Sequence, residues 1–310
     1  MKSTSTKRVF GFSKPNTVTG NNGTRSDSSI FFEDIPESDF EKAQEAISAF
    51  PIFIRDAQMF NILSRNFTEL ISTDDLFHRM SFEQLQEGLH SNDILVELNR
   101  AFVNFLLSMR LWLDHVETRL VRRYSKSSKQ YQAFKATCAA AYDAHVSYRF
   151  LYELRNYAQH CGLPINSVNT GGKLISQDSD HVAVTRQYGA NRDTLLIGYD
   201  WRKLTKELAA QPPLINVIEH SKIMMQDLAS IHDRYMQSEL DNLREGADFL
   251  IDLLKRFDPG DELIKIGTYH LEVTMDGDKI DISSWSGSEV PWQHVQAASQ
   301  NNLAGILVRG

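Results

Sequence analysis

Between Pro213 and Pro259 the chain runs without a proline, and apolar residues recur there at steps of three and four. Ile218, Ile223, Met224, Leu228, Ile231, Tyr235, Leu240, Leu243, Ala247, Leu250 and Leu254 form one stripe, the period of an amphipathic helix rather than a strand. A helix over about 215–257 would extend on the order of 60 Å at about 1.5 Å per residue. A rod of that length cannot bury its stripe alone, so it demands partner helices or an interface. A second stripe over 92–124 supplies one: Ile94, Leu95, Leu98, Ala101, Phe102, Phe105, Leu106, Met109, Trp112, Leu113, Val116 and Leu120. A third helix is expected over 130–160, where Ala139, Ala140 and Ala141 permit close approach of a neighbour. The chain is therefore expected to be mainly α, a helical bundle.

That third helix stops hard. Gly162 suits a left-handed C-terminal cap and Pro164 cannot continue the ladder, which leaves His160 in the last turn. Arg155 lies five residues earlier and is followed by Asn156. A guanidinium is a permanent cation with a donor fork that fits phosphate. Imidazole is the side chain that both takes and gives a proton near neutrality. A cation, an amide and an imidazole at one helix end are the parts needed to bind and cleave a phosphodiester. The spacing by itself favours a surface Arg and a His that caps the helix end, because Arg110 and His115 repeat it inside an ordinary amphipathic helix.

The pairing of the 92–124 helix with a helix ending Arg155-Asn156-Tyr157-Ala158-Gln159-His160 resembles the HEPN superfamily of helical bundles. Its ribonuclease members carry an Arg, a polar residue and a His four to six positions after the Arg. The resemblance covers roughly 90–165, plus the downstream helix that completes the bundle. It implies a metal-independent endoribonuclease without cofactor, in which Arg155, Asn156 and His160 are catalytic. It further implies a homodimer whose two motifs face each other to form one composite site, and a place among toxins or effectors of stress response and phage defence, often restrained by a regulatory protein partner. The competing expectation is a non-catalytic HEPN-like module that binds a nucleotide, RNA or a protein.

Supporting roles are expected on the polar face of the second helix, at Asn104, Ser108 and His115. A basic connector over 119–135 holds Arg119, Arg122, Arg123 and Lys126, with Tyr124 and Tyr131 interleaved, and is a candidate for guiding RNA phosphates. The bland reading of both sets is solvated surface. No P-loop, zinc pattern, nucleophile elbow or dinucleotide fingerprint is present, so the expected metal and cofactor set is none. RNA suits such an enzyme because its own 2′-hydroxyl is the nucleophile. A net charge of -7 argues against non-specific coating of nucleic acid and leaves room for one local patch.

The remaining organisation follows from punctuation. Residues 1–30 read as a flexible basic tail, with Lys2, Lys7, Arg8, Lys14 and Arg25 and no acid before Asp27. The helical domain is expected over 31–257. Ser38 and Glu41 suggest a capping box opening a helix that stops near Phe50, and Pro51 separates it from a second helix from about 54 to Arg79. A turn is expected over 81–91. A β-like insertion over 170–200 includes a strand at 194–199, and a short helix follows over 201–210. The final 261–310 reads as an α+β appendix built on a hairpin turning at Asp276-Gly277-Asp278-Lys279. Two cysteines, Cys138 and Cys161, fit a reducing cytoplasm, and no apolar run approaches the roughly 20 residues that span a bilayer, so no membrane partner is expected.

Overall fold

The structure is a computed structural model and describes residues 3–20, 23–79, 91–174, 182–260, 262–276 and 279–307. It is mainly helical, with two small antiparallel sheets. The chain divides into two compact units, residues 1–58 with 236–310 and residues 59–235. The boundary falls within helix α1 (Glu37–Arg79), after Gln58, and within the long helix α7 (Val217–Lys255), after Tyr235. No helix among the described residues is long and apolar enough to cross a membrane.

The first unit is built on a sheet of order β2-β1-β6-β7, made from β1 (Ser3–Gly20), β2 (Gly23–Glu33), β6 (Lys265–Asp276) and β7 (Lys279–Pro291). The segment expected as a flexible tail thus supplies two strands, and β1 pairs with β6 from Ser3↔Met275 to Ser13↔Lys265. Local composition hid this because the burying partner lies at the far end of the chain: Val9 packs with Tyr269, Leu271 and Val273. Gly11, Gly267 and Gly287 clear space for the Tyr269 ring, since a Cβ at each would come within 2.6, 2.8 and 2.7 Å of a Tyr269 carbon. The hairpin joining β6 to β7 agrees with the sequence, although Gly277 and Asp278 lie outside the described residues. Short helices α8 (Trp292–Ser299) and α9 (Leu303–Leu307) follow.

α1 runs unbroken through Pro51, against the expected division. An internal proline costs about 3 kcal/mol through its missing donor and its ring clash. Burial of Ile47, Phe50 and Phe53 on either side of it offsets that cost. Ser38 falls inside the helix, whose first turn is closed by the amides of Asp39 and Phe40 on the Pro36 carbonyl. The turn expected over 81–91 lies almost wholly outside the described residues.

The second unit holds the bundle. α2 (Ser91–Tyr124) matches the expected helix within a residue and buries Leu98, Phe102, Phe105, Leu106, Met109, Trp112 and Val116 completely. The connector proves shorter than expected. Arg119, Arg122 and Arg123 sit on the last turns of α2, and only 125–128 link it to α3 (Lys129–Ala144), with Ser125 at φ 75°. The single helix expected over 130–160 is two, because the backbone at His145 is extended and α4 (Val146–His160) starts afresh after it. The insertion supplies β3 (Ser167–Leu174) and β4 (Val182–Asn191), joined by the two-residue β5 (Leu214–Ile215). The stretch expected as a strand at 194–199 is instead helix α5 (Arg192–Gly198), because the Asn191 side chain accepts the Thr194 amide at 2.9 Å and caps it. A 3₁₀ turn (Arg202–Leu204) and α6 (Thr205–Ala209) stand where one short helix was expected.

Candidate functional site

α4 is amphipathic, with Tyr148, Phe150, Leu151, Leu154 and Tyr157 buried. Its inner face packs on aromatic rings from the segment after α5. Tyr157 stacks on Trp201 at 6.1 Å and meets Tyr199 edge-on at 6.3 Å. The Trp201 indole donates to the Leu195 carbonyl at 2.7 Å, which ties α5 to this cluster. A Cβ on Gly198 would lie 3.2 Å from the Tyr157 ring, so the chain passes close over that ring.

The end of α4 is held by a buried amide. Asn99 on α2 donates to the Ile165 carbonyl at 2.6 Å and accepts the Ile165 amide at 2.9 Å. The segment after His160 is thereby stapled to α2, and the last turn of α4 is set in direction. The helix closes without a left-handed residue, contrary to expectation: Cys161 has φ -120°, and the amides of Cys161 and Gly162 both bond the Tyr157 carbonyl. Arg110 adds a second tie between α2 and α4, bonding the Tyr152 hydroxyl and stacking over its ring at 5.0 Å.

On this frame Arg155 donates through Nη1 to the Asn156 Oδ1 at 3.2 Å. Asn156 in turn donates to Glu153 at 3.2 Å, and the same Glu153 oxygen accepts from the Tyr199 hydroxyl at 3.3 Å. Burial, with Glu153 beside it, raises the Tyr199 phenol above its ordinary range, so it remains a donor. The Arg155 Nε is buried with no hydrogen-bond partner among the described residues. His160 is exposed and has no hydrogen-bond partner among the described residues.

At about 100° per residue, Glu153, Asn156 and His160 share one face of α4, within about 60° of each other. Arg155 projects about 140° from His160. One copy of α4 therefore offers an imidazole on one side and a guanidinium on another, with Asn156 between them. Glu153 and Tyr199 were missed by sequence reasoning. The spacing of Glu153, three before Asn156 and seven before His160, was the available signal for the first; nothing local announced the second.

The other expected residues are placed separately. Ser108 is buried and bonds the Phe105 carbonyl of its own helix at 2.9 Å. Asn104 and His115 are half-buried on α2. Arg119 is turned against Tyr235, bonding its hydroxyl and stacking over its ring at 5.4 Å. Arg122, Arg123 and Lys126 are exposed, and Arg123 covers the Tyr124 ring at 5.0 Å. Of the ten residues, the structure joins Arg155 and Asn156 by a direct bond and brings His160 onto the same face as Asn156.

No family model, no curated protein and no solved structure matches the chain.

Proposed function

We propose that this protein is a metal-independent endoribonuclease of HEPN type, acting at the C-terminal end of α4 through a site completed by a second copy of the chain. The observation that carries the proposal is the state of Arg155 and His160 at that end. Arg155 keeps part of its donor fork unspent, and His160 stands in solvent with no structural duty. A guanidinium that commits one Nη1 donor to Asn156 has further fork donors to offer a phosphate oxygen.

In this mechanism Arg155 binds the non-bridging phosphate oxygens and stabilises the charge that develops on them. His160 moves protons, taking one from the 2′-hydroxyl or giving one to the departing 5′-oxygen. Asn156, held by Glu153, fixes the guanidinium on one side. The 2′-oxygen forms its bond to phosphorus as the bond to the 5′-oxygen breaks, leaving a 2′,3′-cyclic phosphate and a free 5′-hydroxyl. The reaction wants an acid and a base together, and one copy presents one imidazole at a wide angle from its guanidinium. Two copies related by a two-fold axis supply both. The exposed Arg122, Arg123 and Lys126 would guide the strand.

The test is cleavage of a mixed-sequence RNA by purified wild type, His160→Ala and Arg155→Ala, with the new ends analysed. Cyclic phosphate ends from the wild type alone support the reading. Equal cleavage by all three eliminates these roles. A second reading, docking without catalysis, is favoured by β7, an edge strand exposed along 281–289 with Trp285 57% and Ile282 43% exposed. An edge of that kind takes an added strand from a partner.

A further inference from the structure

A cavity of about 300 Å³ lies in the second unit, where the last turn of α1, β4, β5 and the start of α7 meet. Its lining is rich in acceptors and poor in positive charge. Among the described residues that line it, Asp74, Glu219, Gln187 and Tyr188 carry side-chain oxygens, Leu214 and Ile218 give an apolar wall, His78 stands beside Asp74, and neither Lys nor Arg occurs. Tyr188 is 9% exposed, and its hydroxyl is buried with no hydrogen-bond partner among the described residues. A buried hydroxyl left unpaired costs about 1–3 kcal/mol, so its presence beside a cavity points to a missing partner.

The carboxylates have limited help from the protein. The Asp74 side chain is 14% exposed, and its ion partner is His78, 3.4 Å from Oδ1. His78 also directs that same nitrogen, Nδ1, at the Asp74 carbonyl, 2.9 Å away. Burial pushes the Asp74 carboxyl up from its ordinary value, with His78 and Lys222 opposing and Asp75 and Glu219 adding to the rise. The α7 N-terminus would otherwise attract an anion. Here the Asn216 Oδ1 takes the amides of Ile218 and Glu219 at 3.1 and 3.2 Å, so that cradle is filled. Lys222 is bound to Glu219 at 2.7 Å. Among the described residues no group of three or more His, Cys, Asp or Glu is arranged to hold a metal ion, which leaves an organic donor as the fitting occupant.

We propose that this cavity binds a small organic cation, a guanidinium or primary amine on a short aliphatic body. The charged head donates to the Asp74 carboxylate and the Tyr188 hydroxyl, and the aliphatic part lies on Leu214 and Ile218. Glu219 and the Gln187 carbonyl oxygen accept the remaining donors. The site is independent of the phosphodiester reading at the end of α4.

Agmatine, a guanidinium and an amine on a four-carbon chain, is the probe. It is titrated into the full-length wild type while amide chemical shifts and heat are recorded, with inorganic phosphate as the contrasting ion. Saturable one-to-one binding is expected, with the largest shifts at 187–189 and 216–219 and none there from phosphate. Asp74→Asn should weaken agmatine at least tenfold, and Tyr188→Phe several-fold. Absence of saturation, shifts confined elsewhere, or a folded Asp74→Asn that binds as tightly as wild type overturns the proposal. If Asp74→Asn fails to fold, the wild-type shift map and Tyr188→Phe decide it.

Discussion

At the start of α4, His145, Ser147 and Arg149 are each tied to a named partner: Asp227 at 2.8 Å, His220 at 2.8 Å and Glu207 at 2.8 Å. At its other end, Arg155 has an unsatisfied Nε and His160 has no partner at all among the described residues. A histidine and an arginine occur at both ends, and their use is opposite. The polar side chains at the first turn hold the bundle together by committing their hydrogen-bonding capacity to later segments of the chain. Those at the last turn keep theirs, while the neighbouring Asn99 clamp, made of buried and neutral groups, holds the backbone in their place. A side chain that is both positioned and unspent is what binding or catalysis requires.

The contrast breaks most sharply on activity. His160→Ala and Arg155→Ala should each lower RNA cleavage about 10²–10⁴-fold, the usual worth of a positioned proton-transfer group. Their denaturant midpoints should stay close to wild type, as expected of side chains with little structural duty. Loss of stability to match the loss of activity would put the last turn in the same class as the first.

Asn99→Ala comes next. It leaves the Ile165 amide and carbonyl buried without partners, and about 2–3 kcal/mol of stability should be lost in chemical denaturation. Cleavage should fall as well, because the helix end loses its staple.

The inner histidines set a pH dependence. Burial lowers His232 to about 4, and it stacks flat on Phe60 at 3.8 Å; burial also lowers His220. The unfolded chain therefore binds protons that the folded chain refuses between about pH 6.5 and 4, and stability rises with pH across that window. The second unit should lose roughly 3 kcal/mol on acidification through it. His232→Phe should flatten the curve in thermal melts recorded at several pH values. The smallest effect belongs to Tyr199→Phe, which removes one bond to Glu153 and should cost about 1 kcal/mol or less.

The helices of the bundle were legible because their stripes are long and their period is unambiguous. Leu98, Phe102, Phe105 and Met109 announce α2 without help from the rest of the chain. What stayed hidden depends on partners far away in sequence. Nothing near His145 marks a helix break, since neither Gly nor Pro occurs there, and Asp227 lies 82 residues on. The pairing of β1 with β6 joins opposite ends of the chain, and no local pattern encodes that distance. The candidate site divides in the same way. Arg155, Asn156 and His160 were readable because they are adjacent on one helix. Tyr199 enters through the fold of a segment that read as a strand and formed helix α5 instead.

The proposed reactive centre shared by two chains is tested most directly by subunit mixing. Wild type and His160→Ala are co-refolded in varied proportions at fixed total protein, and cleavage is measured against the fraction of wild type. If both imidazoles serve one site, activity follows the square of that fraction. A straight-line dependence, or no cleavage at any proportion, contradicts it.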